Sequence, residues 1–139
     1  MLVAHEHSAT LGIFRFRANG IEAGQVISSL PADWTGRKSG AAVRVHHDGQ
    51  FAYMSNRGHD SIFCARIDAT RLRLEPIGTT STAGNEPRDF APDESGNWLV
   101  AANQNSDSLV SFAVDGKTGA LTPTGHTLET GNPVSVLWL

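Results

Sequence analysis

The sequence predicts an all-β fold built from repeated units of four short antiparallel strands. A segment that begins at Asp48-Gly49 recurs from Ser95-Gly96, and matched residues stand 47 positions apart (96 − 49 for the two glycines). No window longer than about ten residues keeps the apolar spacing of a helix. The pairs that match at this offset are Gly49/Gly96, Asn56/Asn103, Asp60/Asp107, Ser61/Ser108, Leu74/Leu121, Pro76/Pro123, Gly78/Gly125 and Gly84/Gly131. Four short strands in about 40–50 residues are typical of a β-propeller blade.

Each strand of the repeat has a local signature. The apolar runs Phe51–Ser55 and Trp98–Ala102 both follow Gly-containing turns, as strands that follow tight turns do. Ser108–Val114 mixes small and apolar residues, which predicts a strand packed on both faces. Leu121–Gly125 contains Pro and Gly, which suit an outer edge strand because a missing ladder N–H costs little there.

The repeat divides the chain into one domain of about three blades. Residues 1–39 are expected to form an incomplete blade, residues 40–86 and 87–132 two complete blades, and residues 133–139 the first strand of a closing blade. The incomplete blade has strand-like runs at Leu2–Glu6, Leu11–Phe16 and Gln25–Leu30. Three, four, four and one strands give an expected total of twelve.

Composition excludes several classes of function. The net charge is -3 without a basic run, and no apolar stretch reaches 18 residues, so neither nucleic acid nor a membrane is an expected partner. A single cysteine, Cys64, excludes an intramolecular disulfide and, with no secretion signal at the N-terminus, predicts a cytoplasmic location. The six histidines lack the spacing of a zinc site, so no metal and no other cofactor is expected.

Four segments carry a resemblance to a known family: Ser55–Ile62, Gly84–Ala91, Ala102–Ser108 and Leu121–Gly125. They resemble the bacterial lactonase family, which includes the propeller-type 6-phosphogluconolactonases and the fungal carboxymuconate-lactonising enzymes. The resemblance covers nearly the whole chain and aligns with the C-terminal part of a seven-bladed fold. It implies hydrolysis of a small anionic sugar lactone such as 6-phosphogluconolactone. The alternative is a non-catalytic propeller fragment that acts in assembly or ligand binding.

The same resemblance implies site residues at strand ends, where propellers present side chains to the central channel. Glu6, Arg57 and Arg88 match polar channel positions of the family and are expected to be catalytic. Glu6 would be the general base, and the two arginines would bind the anionic end of the substrate and the developing oxyanion. For Glu6, the alternative is a solvated acid at a strand end.

Two further residues are expected to bind substrate, Arg44 and His59. Arg44 stands where many relatives have a histidine, and Ala42 stands where many have an acidic residue. A guanidinium stays protonated and cannot relay a proton, so weak or absent hydrolysis is expected for this chain alone.

Structural alternatives stay open for these side chains. Arg57 with Asp60, or Arg88 with Asp89, would form exposed ion pairs between blades, and such pairs stabilise little. For His59 the alternative is a hydrogen bond within its own loop. The asparagines and aspartates that recur in both copies are expected to form turn hydrogen bonds, since a residue used in every blade is a poor candidate for a unique site.

Three blades cannot close a ring, and residues 133–139 would present Val134, Val136 and Leu137 on an unpaired edge. A second copy could complete its first blade with this segment. A homodimer formed by strand exchange about a twofold axis is the expected assembly.

Overall fold

The all-β prediction is confirmed by the computed structural model, which describes all of residues 1–139. Apart from the strands, the only regular element is a three-residue 3-10 helix, Gln104–Ser106, so no helix is long enough to cross a membrane. The strands are β1 Leu2–His5, β2 Thr10–Arg17, β3 Gly20–Ser28, β4 Gly40–Val45, β5 Phe51–Asn56, β6 Ser61–Asp68, β7 Arg73–Ser81, β8 Pro87–Pro92, β9 Trp98–Asn103, β10 Ser108–Val114 and β11 Leu121–Glu129.

The strands form three antiparallel sheets in which chain neighbours pair in order. β1-β2-β3 make the first blade, β4-β5-β6-β7 the second and β8-β9-β10-β11 the third. β4 contacts both β1 and β8, so these strands lie side by side along the inner margin of the three blades. The first blade lacks an innermost strand equivalent to β4 and β8.

The twelfth strand predicted over residues 133–139 is absent. A strand needs a neighbour for its backbone ladder, and no further strand of this chain lies beside the segment. Side-chain contacts hold it against β8 instead. Asp89 Oδ2 accepts hydrogen bonds from the backbone N–H of Val136 (3.0 Å) and from Ser135 Oγ (3.2 Å), and Trp138 Nε1 donates to the Ala91 carbonyl (3.2 Å).

The core lies between the blades, and β5 contributes to both of its halves. Phe51 and Tyr53 pack toward the third blade, whereas Ala52 and Met54 pack toward the first. Alternate residues of a strand point to opposite faces, so a strand inside a stack of sheets is apolar on both. This arrangement explains why the sequence of β5 is a continuous apolar run.

The repeated asparagines join neighbouring blades. Asn56 ends β5 and its Nδ2 donates to the Ser29 carbonyl at 2.9 Å, just after the outer strand of the preceding blade. Asn103 ends β9 and its Nδ2 donates to the equivalent carbonyl of Thr82 at 3.1 Å. Both asparagines are buried. Turn hydrogen bonds were expected for these asparagines, but the observed bonds reach 27 and 21 residues back along the chain and join neighbouring blades.

The repeated aspartates have the same kind of role. Asp60 and Asp107 each precede the third strand of their blade in the left-handed region, with φ of 50° and 51°. Asp60 Oδ1 accepts from the Glu86 N–H at 2.8 Å, and Asp107 Oδ1 accepts from the Asn132 N–H at 2.7 Å. Each carboxylate therefore fixes the chain where it leaves the outer strand of its own blade.

Candidate functional site

A cleft of ≈ 390 Å³ opens at the inner margin, where β1, β4 and β8 approach one another. Four of the five predicted site residues line it: Glu6, Arg44, Arg57 and Arg88. The remaining lining residues are Ala4, Gly40, Ala41, Ala42 and Asp89. Three guanidinium groups face two carboxylates here, so the lining carries a cationic excess that favours an anionic ligand.

Equivalent turns of successive blades place two of these side chains. Glu6 is the first residue after β1 and Arg57 the first after β5. Gln104 holds the same place after β9, but it does not line the cleft. Sequence reasoning did not single out Gln104, although the 47-residue offset from Arg57 identifies it (104 − 57).

Arg57 and Glu6 form an ion pair across the boundary between the first and second blades. The hydrogen bond from Arg57, and then its charge, hold the pKa of Glu6 below its ordinary value, against the opposing effect of desolvation. Glu6 is therefore a carboxylate at neutral pH. Its pairing with Arg57 also makes it a weaker base than a free glutamate.

Arg88 is the unpaired cation of the cleft. It lies in β8, is exposed, and has no hydrogen bond or ion pair with another residue of the chain. Its charge also helps to lower the pKa of Glu6, after the larger lowering effects of Arg57 and His7. An incoming anion could bind this guanidinium without breaking an existing pair.

Arg44 is already paired. Its Nη2 donates to Oδ1 of the buried Asp89 at 2.8 Å, between the second and third blades. Neither predicted alternative pair forms, because Asp89 binds Arg44 rather than Arg88, and Asp60 binds the backbone of Glu86 rather than Arg57. Arg57 pairs instead with Glu6 of the first blade, and Arg88 has no partner.

His59 lies outside the cleft lining. Its Nδ1 is 2.8 Å from Ser61 Oγ, and its ring packs edge-on against Trp34 with centroids 4.6 Å apart. These contacts correspond to the loop role given as its alternative. The structure contains no group of three or more His, Cys, Asp or Glu side chains that could hold a metal ion.

Comparison with known proteins identifies the family. The family model described as "Lactonase, 7-bladed beta-propeller" matches residues 1–138. The 6-phosphogluconolactonase of Bacillus subtilis (strain 168) is 38% identical over 138 residues, which cover 99% of this chain and 38% of that protein. The chain thus spans well under two thirds of the length of this relative.

Solved structures agree on the architecture. The periplasmic gluconolactonase of Pseudomonas aeruginosa superposes with a TM-score of 0.87 at 32% identity, over 92% of this chain and 36% of that one. A protein from Lactobacillus plantarum superposes with a TM-score of 0.90 at 29% identity, over 96% of this chain and 40% of that one.

Proposed function

This chain belongs to the lactonase family of seven-bladed β-propellers, and we propose that its cleft binds an anionic sugar lactone and supplies part of the machinery that hydrolyses it. One observation carries the proposal: Glu6, Arg57 and Arg88 come from three different blades and line the same cleft. A pairing useful only for folding would not need the third, unpaired cation.

The side chains divide the proposed reaction among them. A water oxygen attacks the lactone carbonyl carbon, and the ring C–O bond then breaks to leave a hydroxy acid. Glu6 takes the proton from the attacking water, and that proton returns to the departing ring oxygen. Arg57 stabilises the negative charge on the carbonyl oxygen, and the free Arg88 binds the anionic end of the substrate. Arg44 would support the site through Asp89.

A phosphorylated lactone such as 6-phosphogluconolactone is the substrate class we favour. The relative from Bacillus subtilis bears the name of that activity, and the cationic excess of the cleft suits a phosphate better than a neutral sugar. A cytoplasmic location remains part of the proposal and rests on the single buried cysteine.

Binding of the stable reaction product tests this proposal without requiring turnover. Titration calorimetry should detect 6-phosphogluconate binding to the chain, and Arg88→Ala should weaken it by about 10- to 100-fold, the range for a charged hydrogen bond. Arg71→Ala is the matched control, because Arg71 is exposed and pairs with Asp68 away from the cleft. Titrations with gluconate and with inorganic phosphate distinguish recognition of the sugar acid from recognition of the phosphate. Equal losses for the two arginine variants would refute the assignment.

Hydrolysis by the chain alone is expected to be weak or absent, because Glu6 must move the proton unaided: Arg44 stands where many relatives have a histidine and cannot relay a proton. Lactone hydrolysis followed by pH-stat measures it directly. Turnover comparable to that of a full-length relative, and lost in Glu6→Gln, would contradict this expectation and establish Glu6 as essential.

A second candidate function is assembly, and the unpaired strand edges favour it. The inner edge of β1 has no partner strand, and residues 133–139 form no ladder while Leu137 and Val134 are exposed. We propose that two copies of the 139-residue chain exchange this segment and form a homodimer. Light scattering should give twice 14.8 kDa, and deletion of residues 133–139 should return a monomer. A monomeric parent chain, or a dimer that survives the deletion, would refute the exchange.

A further inference from the structure

Four charged side chains form a chain of contacts from the rim of the cleft into its lining, and we call them the rim network: Arg37, Glu86, Arg57 and Glu6. Arg37 pairs with Glu86 Oε1, Glu86 Oε2 lies 4.0 Å from Arg57 Nε, and Arg57 pairs with Glu6. The two middle members are the least accessible, with side chains 18% and 12% exposed. Positive and negative groups therefore alternate along the network, and Glu86 lies between the two arginines.

The β5–β6 turn holds Arg37 in place. A Cβ on Gly58 would overlap with the Arg37 carbonyl oxygen and lie 2.8 Å from its carbonyl carbon, so only glycine allows this approach. The Trp34 indole donates to the same carbonyl oxygen at 3.2 Å and packs against His59. Gly58 and His59 thus anchor the segment that brings Arg37 to the cleft.

Glu86 is held by its backbone. Its φ is 56°, a left-handed conformation that a non-glycine residue keeps only where its surroundings hold it. Here Asp60 Oδ1 accepts from its N–H at 2.8 Å, and its carbonyl accepts from the Gln104 N–H at 2.9 Å. The second and third blades together fix the place from which this carboxylate reaches both arginines.

Arg57 has an unused hydrogen-bond donor on the side that faces Glu86. Its buried Nε has no hydrogen-bond partner, and 4.0 Å to Glu86 Oε2 is too long for a hydrogen bond. Arg37 occupies the other oxygen of Glu86. As long as it does so, Arg57 interacts mainly with Glu6.

We propose that Arg37 and Glu86 are positioning residues that set how strongly Arg57 binds Glu6, and so adjust the basicity of Glu6 and the charge that Arg57 offers to a ligand. The effect on ligand binding rests on the proposed function. If Arg37 is removed, Glu86 is free to compete for Arg57. If the charge of Glu86 is removed, that competition disappears.

Two substitutions should therefore shift the titration of Glu6 in opposite directions. Carbon-13 NMR of the Glu6 carboxyl should give a higher pKa in Arg37→Ala and a lower pKa in Glu86→Gln. Each change is expected to be about 0.2–0.7 pH unit, the range for partly exposed pairs. Arg37→Lys should restore much of the parent titration because it keeps the charge.

Lys38→Ala is the matched control, because Lys38 is adjacent and exposed and carries the same charge without an ion pair. Its effect on Glu6 should be smaller than that of Arg37→Ala. Shifts of the same sign in Arg37→Ala and Glu86→Gln, or a Lys38→Ala shift equal to that of Arg37→Ala, would overturn the proposal.

Binding of 6-phosphogluconate to the same variants separates this inference from the function on which it rests. Arg37→Ala should weaken binding several-fold, because Glu86 then draws Arg57 away from the ligand. Opposite Glu6 shifts in a chain that binds no 6-phosphogluconate would support the network and reject the ligand class. Parent-like Glu6 titrations in a chain that binds the ligand would do the reverse.

Discussion

Replacing Gly119 by alanine should destabilise the chain more than any other substitution in the turn between β10 and β11. Gly119 has a φ of 75°, and a Cβ there would lie 2.7 Å from Cγ and 2.9 Å from Cε1 of Phe51. Phe51 is fully buried in the core between the second and third blades. The new methyl group would therefore meet both an unfavourable backbone conformation and a side chain with no space to move.

The two effects can be separated within the same blade. Gly125 has a φ of 81° with no atom within 4 Å of an added Cβ, so Gly125→Ala measures the backbone effect alone. Gly116 has neither a positive φ nor a close neighbour, so Gly116→Ala is the neutral control. Alanine in the left-handed region costs about 1–2 kcal/mol, and overpacking a core adds about 1–3 kcal/mol. Gly119→Ala should therefore lose about 2–5 kcal/mol.

Urea unfolding followed by tryptophan fluorescence gives these differences from the midpoints if the slope is unchanged. We expect Gly116→Ala within about 0.5 kcal/mol of the parent, Gly125→Ala in between and Gly119→Ala lowest. Equal losses for Gly119→Ala and Gly125→Ala would show that Phe51 moves away without cost. The tight packing of the third blade against the second would then be refuted.

Three further outcomes are expected. Tyr53→Phe should lose about 1 kcal/mol of unfolding free energy in the same assay, because the Tyr53 hydroxyl donates to the Gly119 carbonyl at 3.0 Å in the core; an unchanged midpoint would contradict this. Burial works against the charged form of His46, but the adjacent Asp48 carboxylate and the Gly96 carbonyl outweigh it and raise the pKa of His46 above its ordinary value. The stabilisation from protonated His46 should be complete below about pH 6.5 and should decline as the pH rises through the folded pKa. The free energy of unfolding, measured from pH 5.5 to 8.5, should therefore lose this pH-dependent part in His46→Gln. Identical pH profiles for the parent chain and the variant would be inconsistent with it. Burial raises the pKa of the Cys64 thiol to about 12, so a disulfide reagent at pH 8 should react with it only in urea; rapid labelling of the folded chain would disprove that environment.

The repeat allowed the middle and last blades to be predicted because their strands obey the same local rules. The 47-residue offset placed β5 and β9, and the Gly-containing turns before them, close to their observed positions. Residues 133–139 were predicted as a strand because their apolar pattern is strand-like, but a ladder depends on a neighbour that sequence periodicity does not reveal. A local apolar pattern shows that a segment can form a strand, and a neighbouring strand decides whether it does so.

The sequence allowed residues that line the cleft to be predicted, but not the ion pairs that they form. Strand-end position and family resemblance together singled out Glu6, Arg57 and Arg88, and the three line one cleft. Arg37 was missed because it lies in the loop between the first two blades, at a position with no counterpart in the 47-residue match. The pairing of Arg57 with Glu6 depends on how adjacent blades stack, which no offset along the chain encodes.

In a repeat protein the positions that match and the positions that differ carry different information. Asn56 and Asn103 match, and both bind the carbonyl that ends the preceding blade, so the match reports a requirement of the contact between successive blades. The next residue differs in each blade, as Glu6, Arg57 and Gln104, although the backbone places all three at the same turn. A fold that repeats its backbone can vary this one position without disturbing the hydrogen bonds beside it. Chemistry specific to one site is therefore best sought at structurally equivalent positions where the repeat is broken, and the Glu6–Arg57 pair lies at such a position.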